Sequence, residues 1–434
     1  MLLEADWVLP ITGSPIADGA VQVTDGVIGT VGPSAELRTR FPEEEARTFS
    51  GCALLPGLIN SHTHLDYSAL RGFAQPCGFG EWMLRLLVAR RKLDPEDFEA
   101  SALWGAHESA RSGVTSIADT SYAGWTVARA AGAAGLRARV YLEVFGLDDA
   151  ELPSTMERLE AGVVSLQGEC GSTVEAGVSP HASYTVSARL YREAARFARR
   201  TGLRLATHVA ESEAEVELLA LGTGAIAKAY RAARMWKGQR WTPPGLSPVQ
   251  YVARTGALGP ETLVIHAVQL DEDDIATLAE SGAAVAHCPR SNLRLRCGVA
   301  PVAELLAAGV TVGLGTDSLG SNDSLDMFAE MRAAVAVSGG RLAPAAVLRM
   351  ATLEGARALG WVGQLGSLDA GKRADVIAVR LAAGDPTAEL VEAATAADVR
   401  MTMVEGHVIF DGQETPVQVA RGLGAARAKL GLKD

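Results

Sequence analysis

Residues 60–68 read NSHTHLDYS, and the spacing of His62 and His64 is the feature with the most chemistry in it. On an extended strand, residues i and i+2 face the same side, so both imidazoles point together. Two imidazoles are costly to bury without partners, and a shared cation is a partner that suits them. Residues of the same ligand type recur at the ends of other apolar runs: His208 in LRLATHV, His266 in TLVIHAV, Asp317 in VTVGLGTD, and His181 just past VEAGVSP. Nitrogen ligands joined by one carboxylate suit Zn²⁺ or Fe²⁺ better than Mg²⁺ or Ca²⁺, with Zn²⁺ the first choice. An open position on such an ion holds water and lowers its pKa towards neutrality. Glu211 follows His208 by three residues in THVAESEAE, placed to carry a proton. The competing reading of Glu211 is an ordinary acid in a first helical turn, which is how Glu213 and Glu215 are read. His107, inside a helical pattern, and His407, beside a hairpin turn, are read as structural.

These residues meet only if distant segments converge on one rim. Eight strand-like runs, ALLPGLI, VTSIAD, ARVYLEVF, VEAGVSP, LRLATHV, TLVIHAV, AAVAHCP and VTVGLGTD, alternate with amphipathic helical stretches such as PEDFEASALWGAHESARSG. Eight β-then-α units in series predict an α/β fold, a (β/α)8 TIM-type barrel, whose chemistry sits at the C-terminal ends of its strands. VQVTDGVIGTVG reads as a hairpin turning at Asp25-Gly26, and MTMVEGHVIFDG as another turning at Glu405-Gly406. The two chain ends, 1–56 and 361–434, are expected to form a small β-sandwich domain beside a barrel of 57–360. The excursion over 222–259, with Trp236, Trp241 and Pro243-Pro244, is expected to lie over the barrel mouth as part of a lid. Marks of disorder are confined to the last ten residues.

Composition narrows the class. The 434 residues are 48% hydrophobic, enough for a sizeable core, and the net charge of −11 argues against a nucleic-acid-binding surface. No apolar run has the length of a membrane span. MLLEADWVLP has acids early and no basic n-region, unlike a secretory signal. The five cysteines form no CxxC pair and suit no disulfide framework, which points to a reducing cytoplasm.

The motifs PGLINSHTH, GVTSIAD, SPHASYTVS, THVAE, LVIHAV, HCPRSN, LGTDS and GSLDAGKRADVIAV resemble, over nearly the whole chain, those of the amidohydrolase superfamily, in its branch of single-metal nucleobase and nucleoside deaminases. The resemblance implies that His62, His64, His208 and Asp317 bind one divalent metal. It implies that His266 contacts the attacking hydroxide and the tetrahedral intermediate, that Asp317 also takes a proton from the water, and that Glu211 protonates the ring nitrogen. Two-metal members of the superfamily use a lysine at the end of strand four; here no lysine occurs between Lys92 and Lys228, which implies one metal. GFGEWMLRLL resembles the segment of S-adenosylhomocysteine and methylthioadenosine deaminases whose tryptophan lines the nucleoside pocket, here Trp82. Where those enzymes grip the ribose with an acid, this sequence has Arg90 and Arg91. YLEVFG, SPHASYTVS and CPRSN look more like 6-aminodeoxyfutalosine deaminases of menaquinone biosynthesis, whose substrate ends in a benzoate. A carboxylate calls for a guanidinium; the candidates are Arg290, Arg294, Arg296, and Arg90 or Arg91, with His181 and Glu143 as further pocket residues. The expectation is a hydrolytic deaminase of a small 6-aminopurine nucleoside, 6-aminodeoxyfutalosine first. An S-adenosylhomocysteine/methylthioadenosine deaminase, a triazine or pyrimidine amino- or chlorohydrolase, and a non-enzymatic scaffold are the alternatives. The resemblance also allows a homo-oligomer.

Overall fold

The computed structural model describes residues 1–73, 76–232, 242–382 and 384–432. Four strands come first: β1 (Leu2–Val8), β2 (Ile16–Thr24), β3 (Val27–Pro33) and β4 (Ala46–Pro56). The long middle supplies β5 (Leu58–Thr63), β6 (Val114–Ser121), β7 (Arg137–Val144), β8 (Val174–Pro180), β9 (Leu205–Val209), β10 (Thr262–His266), β11 (Ala284–His287) and β12 (Val312–Leu314). Near the C-terminus lie β13 (Val376–Arg380), β14 (Val399–Val404) and β15 (His407–Phe410).

Strands β5 to β12 form one eight-stranded sheet in sequence order, each parallel to the next, with helices between them. These are the eight apolar runs seen in the sequence, and each is buried on both faces as a barrel strand must be. The two ends of this sheet meet at the rim, where the backbone N–H groups of Thr316 and Asp317 donate to the His62 carbonyl at 3.1 and 3.0 Å. Gly315 permits the approach: a Cβ there would lie 2.8 Å from the His62 backbone nitrogen. Helix boundaries follow local chemistry. Asp94 and Asp97 form a capping box at the start of helix Pro95–Arg111, and Gly202, at φ 69°, ends helix Ala188–Thr201 in the left-handed conformation. The opposite end of the barrel is plugged. Tyr141, Leu263, Ile265 and Ala286 pack with Leu359 and Trp361, whose indole donates to Glu175 at 3.1 Å and lies 4.7 Å under the Arg139 guanidinium.

The two chain ends build a separate seven-stranded mixed sheet in the order β15-β14-β13-β4-β1-β2-β3. What the sequence suggested as a sandwich is one continuous sheet, in which Leu3, Val21, Leu54, Val376 and Met401 gather into a core of their own. Both expected hairpins form. Asp25-Gly26 and Glu405-Gly406 have φ values of 50°, 75°, 48° and 78°, the positive pairs that twisted hairpin turns require. β4 runs through Gly57 straight into β5, so the sheet feeds the first barrel strand. Disorder over the last ten residues is overturned as far as Leu430. Helix Val417–Leu430 packs on helix Pro95–Arg111, with Arg427 donating to the Arg71 carbonyl at 2.9 Å and Lys429 to Asp94 and Asp97 at 2.6 and 2.7 Å. Trp236 and Trp241 of the expected lid lie outside the described residues; helix Gly224–Ala232 of the same excursion reaches the cavity described next through Ala229 and Tyr230.

Candidate active site

At the open rim the chain repeatedly leaves its strands in a left-handed conformation. Ala210, His266, Ala267 and Asp317 have φ of 55°, 75°, 48° and 56°, and all four are buried. Such backbone costs about 1–3 kcal/mol per residue and persists where the surroundings enforce it. Here it ends the strand alternation and turns the functional side chains inward. His62, His208 and His266 offer ring nitrogens within 4.8 Å of one another, as do His62, His64 and an oxygen of Asp317. Asp317 Oδ1 lies 3.5 Å from His62 Nε2 and 3.8 Å from His64 Nε2.

The residues behind this cluster fix its orientation. The His181 carbonyl accepts from the His208 backbone N–H and from His208 Nδ1–H, both at 2.9 Å, leaving the Nε2 lone pair facing the cluster. His266 Nδ1–H donates to Asn292 Oδ1 at 3.0 Å, with the same consequence. Asp317 Oδ2 accepts from Ser291 Oγ at 2.6 Å and Ser321 Oγ at 2.7 Å, and Oδ1 from the Ser318 N–H at 2.6 Å. Asn60 ties the first strand to the last, donating to Thr316 Oγ1 at 2.8 Å and accepting from the Thr316 N–H at 3.0 Å. None of Asn60, Ser291, Asn292 and Ser321 stood out in the sequence. HCPRSN and the second SN pair, four residues past Asp317, were the available signal.

The electrostatics suit a cation. Burial pushes His62 down to about 3 and His208 well below the usual histidine range, so their rings are neutral ligands. Burial alone would raise Asp317; the His62 ring 3.5 Å away, then His266 and His64, hold it well below the carboxylate range. Neither ring nitrogen of the fully buried His62 has a hydrogen-bond partner among the described residues. That orphaned polarity is costly in a protein interior. A divalent ion shared by His62, His64, His208 and Asp317 would take the Nε2 that faces Asp317, and the residues therefore fit such an ion.

Glu211 Oε1 stands 3.5 Å from His266 Nε2. Its carboxyl is pushed well above the usual range by burial, then by Asp317 and Glu215, which favours the proton-carrying form. Glu215, which looked like a plain helix acid, is fully buried and accepts from the Glu211 backbone N–H at 2.9 Å and from the Ser183 hydroxyl. Burial raises it to about 7. It fixes the turn that presents Glu211.

The cluster forms the floor of a cavity of about 310 Å³. Trp82, on helix Phe79–Arg90, lines it and donates to the Gly320 carbonyl at 2.8 Å. His181 lines it too, stacked on Phe145 at 4.6 Å. Glu143 lies below the lining surface, with one carboxylate oxygen within 4.8 Å of His64 and His208 ring nitrogens; burial raises it to about 7. Two expected arginines stand elsewhere. Arg290 is held by Asp323, by Ser324 at 2.9 Å and by Glu330 at 3.6 Å, and it does not line the cavity; nor does Arg91, which is exposed. Arg294 and Arg296 are likewise absent from the lining; the arginine that the helix turns inward is Arg90.

Comparison with known proteins accords with this geometry. The amidohydrolase family matches residues 53–409. A 5-methylthioadenosine/S-adenosylhomocysteine deaminase of Moorella thermoacetica is 34% identical over 97% of this chain and 98% of its own length. An adenosine deaminase of Xanthomonas campestris, solved with bound zinc, superposes with a TM-score of 0.85 at 28% identity, covering 99% of this chain and 98% of that one. The aminofutalosine deaminase of Helicobacter pylori superposes with a TM-score of 0.82 at 23% identity, over 94% of this chain and 100% of that one, a likeness of fold. The chain belongs to the amidohydrolase family, in its deaminase branch of hydrolases acting on C–N bonds in cyclic amidines.

Proposed function

We propose that this protein deaminates adenine nucleosides bearing a thioether at the 5′ position, 5′-methylthioadenosine and S-adenosylhomocysteine, at a single Zn²⁺ site. The observation that carries deamination is the buried Glu211 carboxyl, its pKa raised, 3.5 Å from His266 and near Asp317. Losing ammonia from a purine ring requires an acid at the neighbouring ring nitrogen, whereas losing halide does not; this disfavours a chlorohydrolase. The full-length relationship to the Moorella enzyme supports the thioether nucleosides. The 6-aminodeoxyfutalosine reading, first from sequence, and with it a place in menaquinone biosynthesis, gives way, because that likeness is one of fold at 23% identity.

When bound, the ion activates a water molecule for attack on C6. Asp317, held by two serine hydroxyls, accepts the water's proton. His266 Nε2, with its lone pair aimed at the cavity, orients the oxygen that attacks. Glu211 hands its proton to N1 as the C6–O bond forms; the amine then leaves as ammonia with the proton held at Asp317, and the proton left on the C6 hydroxyl returns to Glu211 as the C6 carbonyl forms. Hypoxanthine replaces adenine, and water is the sole co-reactant. Trp82 and His181 border the base.

Incubation of Zn²⁺-loaded protein with methylthioadenosine, S-adenosylhomocysteine, adenosine and 6-aminodeoxyfutalosine, read by ammonia release and the purine absorbance change, tests the proposal. Turnover of the thioether compounds is expected. No turnover of any adenine nucleoside, or turnover of 6-aminodeoxyfutalosine alone, contradicts it.

A further inference from the structure

The cavity is polar at its floor and apolar along the wall made by helix Phe79–Arg90, where Trp82, Met83, Leu86 and Leu87 face it. One cation interrupts that wall. Arg90, in the last turn of the helix, lines the cavity with its guanidinium 5.7 Å from the Tyr67 ring. Among the described residues no carboxylate pairs with it. Nearby arginines show what this chain ordinarily does with such groups: Arg71 pairs with Glu108, Arg85 with Glu81, and Arg290 with Asp323. Asp66 and Glu143 feel the charge of Arg90, but neither forms an ion pair with it among the described residues. A guanidinium held against an aromatic ring in a concave, largely apolar site is built for a planar anion. The base must occupy the floor for its amine to be displaced, which leaves Arg90 to the sugar side of the substrate.

We infer that Arg90 binds a carboxylate carried on the 5′ substituent, so that the enzyme favours nucleosides with a carboxylate-ended tail over those with a short apolar one. This rests on the adenine-nucleoside reading above and sharpens it, from thioether nucleosides in general to the amino-acid-tailed member, S-adenosylhomocysteine. A charge-assisted contact of this kind supplies about 10–100-fold of discrimination.

The experiment compares kcat/KM for S-adenosylhomocysteine and methylthioadenosine in Zn²⁺-loaded wild type and Arg90→Met. The ratio between the two substrates is expected to fall about 10–100-fold in the variant. An unchanged ratio, even with both rates reduced, overturns the inference and assigns Arg90 to neutralising Asp66 and Glu143. A measurement that needs no variant uses the wild type with S-adenosyl-3-thiopropylamine, which has the same thioether tail without the carboxylate. A fall of about tenfold or more relative to S-adenosylhomocysteine is expected, and equal rates contradict the assignment. Turnover with flat ratios removes the Arg90 inference alone; no turnover of any of these nucleosides removes it together with the proposed function.

Discussion

The terminal sheet and the barrel rim both contain left-handed backbone, in very different surroundings. In the sheet it sits at the exposed Asp18 of β2 and at Asp25-Gly26 and Glu405-Gly406, exposed or half-buried hairpin turns, all residue types that suit it. At the rim it falls on Ala210, His266, Ala267 and Asp317, all buried and none of them glycine. The sheet gathers Leu3, Val21, Leu54 and Met401 into an apolar core. The rim leaves both His62 ring nitrogens unpartnered among the described residues and pushes the Glu211 carboxyl well above its usual range. One region is arranged for stability alone. The other keeps strain and unmet polarity that a bound ion and substrate resolve.

This contrast can be broken or sharpened by substitution. His62→Ala is expected to have the largest effect: metal retention lost and ammonia release at background, with the far-UV circular dichroism preserved. Normal metal content in that variant would erase the distinction. Glu211→Gln is expected to keep the metal and lower kcat about 10²–10⁴-fold, as measured by elemental analysis beside steady-state kinetics. Leu54→Ala, in the sheet core, is expected to cost about 2–5 kcal/mol in denaturant unfolding while the folded fraction keeps wild-type kcat. A large kcat loss there would show that the two regions are not separable. Ser291→Ala, which removes one of two hydroxyls on Asp317 Oδ2, is expected to weaken metal affinity or activity about 10–100-fold.

The smallest expected effect is a shift in pH dependence. Glu211 donates a proton, so activity falls as pH rises through its raised pKa. The charge on Glu215 is one cause of that elevation. Glu215→Gln removes the charge, lowers the Glu211 pKa and moves the alkaline limb of kcat to lower pH. A limb that stays in place would reduce Glu215 to a packing role.

Much of this was legible in the sequence because it rests on local pattern. The eight barrel strands are continuous apolar runs, and the two turns carry residues that accept positive φ. His62, His64, His208, His266 and Asp317 could be picked out because barrel topology brings strand ends together. The same rule overreaches at His287. It also ends a strand, β11, yet it neither lines the cavity nor joins the ligand cluster. What stayed hidden depends on helix phase and on long-range contact. Arg90 and Arg91 are adjacent in sequence, and the rotation between neighbouring helical residues separates a cavity residue from an exposed one. Arg290 has a carboxylate, Asp323, that comes from far along the chain. Ser291, Asn292 and Ser321 carry no periodic signature; they matter because they back Asp317 and His266 in space. Glu215 looks like any helix acid until its burial is known.

That a single divalent ion at the rim powers deamination is tested most directly by titrating Zn²⁺ into chelator-stripped protein while following ammonia release from S-adenosylhomocysteine or methylthioadenosine. Activity should start at background and rise linearly to a plateau at one equivalent per chain. Full activity in the stripped protein, or a plateau reached only at two equivalents, would contradict it.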